Sequence, residues 1–369
     1  MKNKLQISIR VIAAVFLLAS VSACRKDQPK KDDVTNGYEN PSSVMKGLYV
    51  LNEGNFGSNK ASLDFYDFAS GLYTRNLFGA VNPTVTLGLG DSGNDVKIYG
   101  SKMYVVVNGS NKLEILNAKT AKEVSKLDIP NARYVTFYKN FAYITSYDGF
   151  VAVVDTAATS VIKTKITVGS QPEEMAVVGS KLYVANSGGY NAPNYERTIS
   201  VIDLTSNTEI KKIDVAINLN HLRADQYGDL YVTSRGDYAT IPSSIFVIDT
   251  KTDVVKKDFH LPTENFCIDG DNAYIFSYDY ISKKSTYIKL NVKDETVLSN
   301  NFITDGTDNS IVLPFGIIAD PSTGDIYISD AGDYKSPGKL YAFDKTGKSK
   351  FKIPLTTGDI PGHFVFLSK

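Results

Sequence analysis

Residues 171–215 show the pattern of apolar and polar positions in its simplest form. Four apolar runs, at 174–178, 182–185, 199–204 and 210–215, are separated by Gly179-Ser180, Asn186-Ser187-Gly188 and Thr205-Ser206-Asn207. Each run is too short for a helix, is rich in Val, Ile and Tyr, and is bounded by turn-forming residues. The pattern therefore predicts four strands of one antiparallel meander. Such a meander cannot bury both of its faces alone, so it predicts neighbours built the same way.

A Tyr within an apolar run, followed by a run of the ID, LN or FD type, recurs along the chain. The anchors are Tyr49, Tyr104, Tyr143, Tyr183, Tyr231, Tyr274 and Tyr327, at spacings of 55, 39, 40, 48, 43 and 53 residues. Seven copies of a four-stranded unit at this period predict an all-β fold, a seven-bladed β-propeller of four-stranded antiparallel blades. A β-solenoid needs a shorter and stricter period, and separate sandwiches need longer units with their own cores.

The same pattern predicts how the ring closes. Six anchors follow another apolar run, at 95–99, 134–138, 174–178, 221–225, 265–269 and 315–319. Tyr49 follows only polar sequence, and the missing run is His363–Leu367, HFVFL, at the other end of the chain. The C-terminal strand is therefore expected to become the innermost strand of the first blade, leaving no open edge between the first and last blades.

Composition fits this reading. The chain has 23 Tyr, 18 Phe and no Trp. The Tyr anchors are expected to pack between blades, with apolar rings and hydroxyls that reach a polar edge. Residues 47–369 read as one domain, because a ring of blades is a single closed unit. Cys267, in an expected innermost strand, has only Cys24 as a possible thiol partner and reads as a small buried apolar residue.

The first residues read differently. Lys2, Lys4 and Arg10 precede a thirteen-residue run of mostly apolar and small residues, 11–23, too short to span a bilayer. It ends Val21-Ser22-Ala23-Cys24, which resembles the lipobox of bacterial lipoproteins. That resemblance implies a signal peptide over 1–23, a lipidated Cys24, and anchorage to a membrane by acyl chains. Residues 24–46 read as a flexible polar tether. Lys31-Asp32-Asp33 within it resembles the signals that send Bacteroidetes lipoproteins to the outer face of the outer membrane. Loss of Lys2, Lys4 and Arg10 with the signal leaves 37 Lys and Arg against 40 Asp and Glu. No basic field is present to attract nucleic acid.

In a propeller blade, the loop between the second and third strands opens on the same face as the loop entering the next blade, so both loop sets ring one axial mouth. That face is where a ligand is expected. The second-to-third loops carry Phe56, Tyr147, Tyr190, Tyr238, Tyr278 and Tyr334. The entries to the inner strands bring Asn131, Arg133, Asn220, His221, Asn265 and His363. Aromatic and amide groups suit a bulky, mostly uncharged ligand with an apolar body and a hydrogen-bonding fringe. The Asn residues are also ordinary turn formers. An aromatic in nearly every second-to-third loop is not explained that way.

Signals for catalysis are thin. The metal pair HExxH, the nucleophile elbow GxSxG and the phosphate-binding P-loop are absent. Glu173 and Glu174 are expected to alternate across a strand and so not to form a dyad. Asp330 and Asp333 lack the spacing of a calcium loop. The sequence thus points to binding, with no catalytic residue, resident cofactor or metal.

The repeats KLYVANSG and ISVIDLTSNTEIKKIDV resemble those of the YncE-like seven-bladed propellers. LYVLNEGNFGSNKASLDFYD, behind a lipobox, is similar to a Bacteroidetes lipoprotein branch of that group, which includes surface vitamin B12-binding lipoproteins of the BtuG type. The resemblance covers 47–367. It implies a surface-anchored outer-membrane protein that captures cobalamin or another corrinoid and passes it to a TonB-dependent outer-membrane transporter. It carries over no ligand-contacting position. The alternatives are a propeller enzyme of lactonase or lyase type and a scaffold for a glycan or protein.

Overall fold

A computed structural model describes residues 44–159 and 161–368. The expected signal peptide, Cys24 and nearly all of the tether lie outside the described residues. Seven four-stranded antiparallel sheets make up the molecule, with one five-residue helix, Leu77–Val81 (α1), and a single 3-10 turn among the described residues. Blade IV is typical: Pro172–Val178 (β12), Lys181–Asn186 (β13), Thr198–Asp203 (β14) and Thr208–Asp214 (β15) pair in chain order.

The inner strands are Pro361–Ser368 (β28), Gly93–Tyr99 (β4), Ala132–Tyr138 (β8), β12, Leu219–Ala224 (β16), Asn265–Asp269 (β20) and Pro314–Ala319 (β24). Each packs against the inner strands of the two blades beside it, so the ring is continuous. Closure is as the pattern predicts. β28 pairs antiparallel with Met45–Asn52 (β1), from Met45 opposite Ser368 to Asn52 opposite Pro361. Lysines on the outermost strands, among them Lys163, Lys165, Lys211 and Lys212, are exposed and discourage edge-to-edge pairing.

The anchor tyrosines occupy the second strand of every blade, and all are buried. Several reach across the blade boundary. The hydroxyls of Tyr49, Tyr183 and Tyr231 donate to the carbonyls of Ala118, Thr250 and Val292, and that of Tyr143 donates to Asn207. Each acceptor lies in the third-to-fourth turn of the following blade. One residue thus supplies apolar area and a hydrogen bond across the joint.

The recurring ID, LN and FD dipeptides have a local cause. Asp67, Asn117, Asp155, Asp203, Asp249, Asn291 and Asp344 each end or follow the third strand. Each accepts a hydrogen bond from the backbone N–H two residues on. A short carboxylate or amide side chain closes that turn as the backbone itself would.

A second repeated feature positions the mouth. In six blades the pairing register shifts near the mouth end of the inner strand, as between Ala132 and Val135, Pro172 and Met175, and Leu219 and Leu222. Such a bulge sets two residues against one and breaks the in-and-out alternation. A hydroxyl on the second strand fills it in three blades: Thr145, Thr233 and Ser329 accept from the N–H of Tyr134, His221 and Gly316. The expectation that Glu173 and Glu174 alternate across a regular strand fails for this reason, since both are buried.

Candidate ligand-binding mouth

Inner-strand residues close the floor of the mouth. The Tyr134 ring meets His221 and His363 edge to face, each at 6.3 Å between centroids. These side chains come from blades III, V and I, so they meet across the axis. Below them an axial cavity of about 140 Å³ runs down to Ile98, Phe137 and Phe366. Cys267 lines it, buried and free, with its thiol pushed up to about 12 by burial.

Two ion-pair clusters stiffen the floor. In the first, Glu173 is fully buried and accepts from Arg133 Nε and Nη2 at 3.1 and 3.0 Å, Arg235 Nη1 at 2.9 Å and the Tyr147 hydroxyl at 2.5 Å. Arg133 also donates to Asn94 and lies 4.4 Å above the Tyr147 ring. Burial pushes the Glu173 carboxyl up, but Arg133 and Arg235 outweigh it and hold the carboxyl at about 2. In the second, Glu174 accepts from the Leu222 N–H and Arg223 Nε and pairs with His221 Nδ1 at 2.9 Å. Burial lowers the His221 imidazole to about 4, against the pull of Glu174, so it is neutral near pH 7. His363 is likewise engaged, its Nε2 3.0 Å from Glu53 Oε1.

Aromatic side chains rise above this floor in two groups. Tyr147 and Tyr190 pack edge to face at 5.3 Å on blades III and IV. On blades VI and VII, Tyr278 packs on Tyr280 at 4.9 Å, the hydroxyls of Tyr280 and Tyr334 are 3.2 Å apart, and Tyr334 packs on Phe315. Tyr238 lies between the groups, beside Arg235, and Phe56 lies on the rim of blade I. Tyr190, Tyr238 and Phe56 are 79%, 74% and 80% exposed. Large rings held this far into water contribute little to the core and leave apolar surface open on this face.

The structure thus brings Arg133, Tyr147 and Tyr190 into one group, and Tyr278 and Tyr334 into another. His221 and His363 meet at Tyr134 below. Asn131 is exposed on the rim and donates to Asp148. Asn220 and Asn265 are buried, and Asn265 spends its amide on the Phe315 carbonyl and its Oδ1 on the Phe266 N–H. Phe56 makes no ring contact among the described residues. Sequence reasoning weighed Glu173 only as half of an acidic pair, and it did not single out Arg235, Tyr134 and Glu53. Two of them had a signal: Glu53 and Arg235 stand four residues after their anchors, as Tyr147 and Tyr278 do. Among the described residues there is no cluster of metal-ligating side chains, and no helix is long and apolar enough to cross a membrane.

Comparison with known proteins gives the family and the fold. A family model described as a domain of unknown function, DUF5074, matches residues 46–367. No curated protein matches the sequence. Among solved structures, the chain is similar to a quinonprotein alcohol dehydrogenase-like protein from Bacteroides thetaiotaomicron, with a TM-score of 0.58 and 15% identity over 87% of this chain and 78% of that one. It is also similar to hydrazine synthase from Kuenenia stuttgartiensis, with a TM-score of 0.56 and 16% identity over 69% and 76%. A third similar structure is apo AztD from Citrobacter koseri, with a TM-score of 0.52 and 13% identity over 88% and 100%. At such identities the likeness is one of fold.

Proposed function

This chain belongs to the DUF5074 family, and we propose that it is a binding protein which captures cobalamin or another corrinoid at the mouth. In the same reading, residues 1–23 are a signal peptide and 24–46 a tether lipidated at Cys24. The propeller of 47–369 then stands on the outer membrane, facing outward, and hands its ligand to a TonB-dependent transporter.

The observation that carries the reading is the pairing of exposed rings with a rigid floor. Aromatic side chains ring one face, and beneath them buried ion pairs hold the inner strands in place. A corrinoid is a broad apolar ring fringed by amides. Flat aromatic contacts on opposite sides of the mouth suit its size, and a preformed site lowers the ordering cost of capture. β1 enters the ring from the face opposite the mouth, which suits a site open to an incoming ligand. Binding is favoured over catalysis because burial lowers the His221 imidazole to about 4, which makes it a weak base near pH 7.

The test is calorimetric titration of the chain with cyanocobalamin. We expect saturable heat at micromolar protein or below. No detectable binding at that concentration removes the corrinoid and leaves the mouth to another ligand.

A further inference from the structure

One cation of the Glu173 cluster is only partly used. Arg133 is engaged on all sides, with two nitrogens on Glu173, the third on Asn94, and its plane over Tyr147. Arg235 follows Asp229–Ser234 (β17) on blade V. It is held by a single hydrogen bond, Nη1 to Glu173 Oε1 at 2.9 Å, and its guanidinium has no other hydrogen-bond partner among the described residues. Its side chain is 27% open.

Charge gives the second observation. One carboxylate shared by two guanidiniums leaves one positive charge over. Glu264 is the other acid on which Arg235 acts, and it forms no ion pair with Arg235 among the described residues. Tyr238 and Tyr147 stand close enough to Arg235 to act on its charge. A cation with unused donors therefore sits among the rings of the mouth.

We infer that Arg235 reads an oxyanion on the ligand, a phosphodiester or a carboxylate attached to a body that lies on the surrounding rings. A guanidinium offers planar paired donors that match such groups, and charge-assisted hydrogen bonds are the stronger kind. Glu173 aims the group before the ligand arrives, so little side-chain freedom is lost on binding. An uncharged amide carbonyl would accept the hydrogen bond but leave the surplus charge uncompensated. The inference rests on the reading of the mouth as the ligand site and deepens it. Cobalamin carries one phosphodiester in its nucleotide loop, and cobinamide has the same ring without it.

The experiment titrates wild-type chain, R235Q and the exposed outer-strand control K212Q with cyanocobalamin, dicyanocobinamide and inorganic phosphate. The expected result is a wild-type preference for cyanocobalamin over dicyanocobinamide on the order of tenfold or more. R235Q should erase that preference and K212Q should keep it. Equal wild-type affinity for both corrinoids, or an equal loss for both in R235Q, overturns the role of Arg235 and leaves the corrinoid reading standing. If neither corrinoid binds, that reading fails and phosphate decides. A saturable rise in melting temperature in wild type but not in R235Q supports the inference, and the same response in both overturns it. If R235Q does not fold, R235K is read instead. It keeps the charge beside Glu173 but loses the paired donors, and retention of the full preference in R235K contradicts the inference.

Discussion

The two ends of the ring are built under the same constraint and solve it differently. On the face opposite the mouth, seven third-to-fourth turns repeat one device, an Asp or Asn side chain that caps its own turn. On the mouth face the corresponding positions do not repeat. The fourth residue after the anchor is Glu, Asn, Tyr, Ser, Arg, Tyr or Ala from blade to blade. Repetition marks what every blade needs in order to fold. Departure from it marks what the ring holds only once, and here the departures converge on one charged and aromatic surface.

The comparison can be broken first at the joint that both ends share. Deleting residues 360–369 removes β28 and exposes the inner edge of β1, whose Leu48, Tyr49, Val50 and Leu51 are buried. Unpaired strand edges aggregate. The expected outcome is insoluble protein or loss of a cooperative melting transition. Unchanged melting means that the first blade finds its fourth strand elsewhere.

A smaller effect is expected within the mouth. Glu173→Ala leaves Arg133 and Arg235 facing each other without their carboxylate. Breaking a buried pair costs about 3–5 kcal/mol, and the partial exposure of both arginines puts this case near the lower figure. Denaturant unfolding measures it. Acid offers the same comparison without mutation. A carboxyl held at about 2 in the fold and near 4.3 when unfolded contributes stability above the higher value, lost as pH falls toward the lower. The wild type should therefore lose more stability than Glu173→Ala between roughly pH 4.3 and 2. Parallel pH profiles for the two proteins contradict the pairing.

The fold was legible because its signals repeat. The Tyr anchors and the ID, LN and FD runs recur often enough to count blades and to place the strand displaced to the C-terminus. The aromatic rim was legible from loop position alone. The charged floor was not. It depends on bulges, which shift register without changing the apolar pattern, and so Glu173 and Glu174 read as one in and one out. Arg235 was not singled out, because its partner Glu173 lies 62 positions earlier and on another blade. The Asp and Asn of the third-strand ends were visible as a motif, but their reason, a side chain closing its own turn, is a matter of hydrogen-bond geometry.

The central claim is that the two faces divide the work, the mouth for ligand and the opposite face for folding. The most direct measurement titrates cyanocobalamin into two double variants, Tyr190→Ala with Tyr238→Ala among the exposed rings of the mouth, and Asp203→Ala with Asp249→Ala on the opposite face, and follows the melting of each. The account predicts that the mouth pair loses on the order of tenfold or more in affinity, with two aromatic contacts gone, and keeps its melting temperature. It predicts that the opposite pair keeps its affinity and melts at a lower temperature, because two side-chain caps of the turns are gone. Equal loss of affinity in both variants, or none in the mouth pair of a chain that binds, contradicts it.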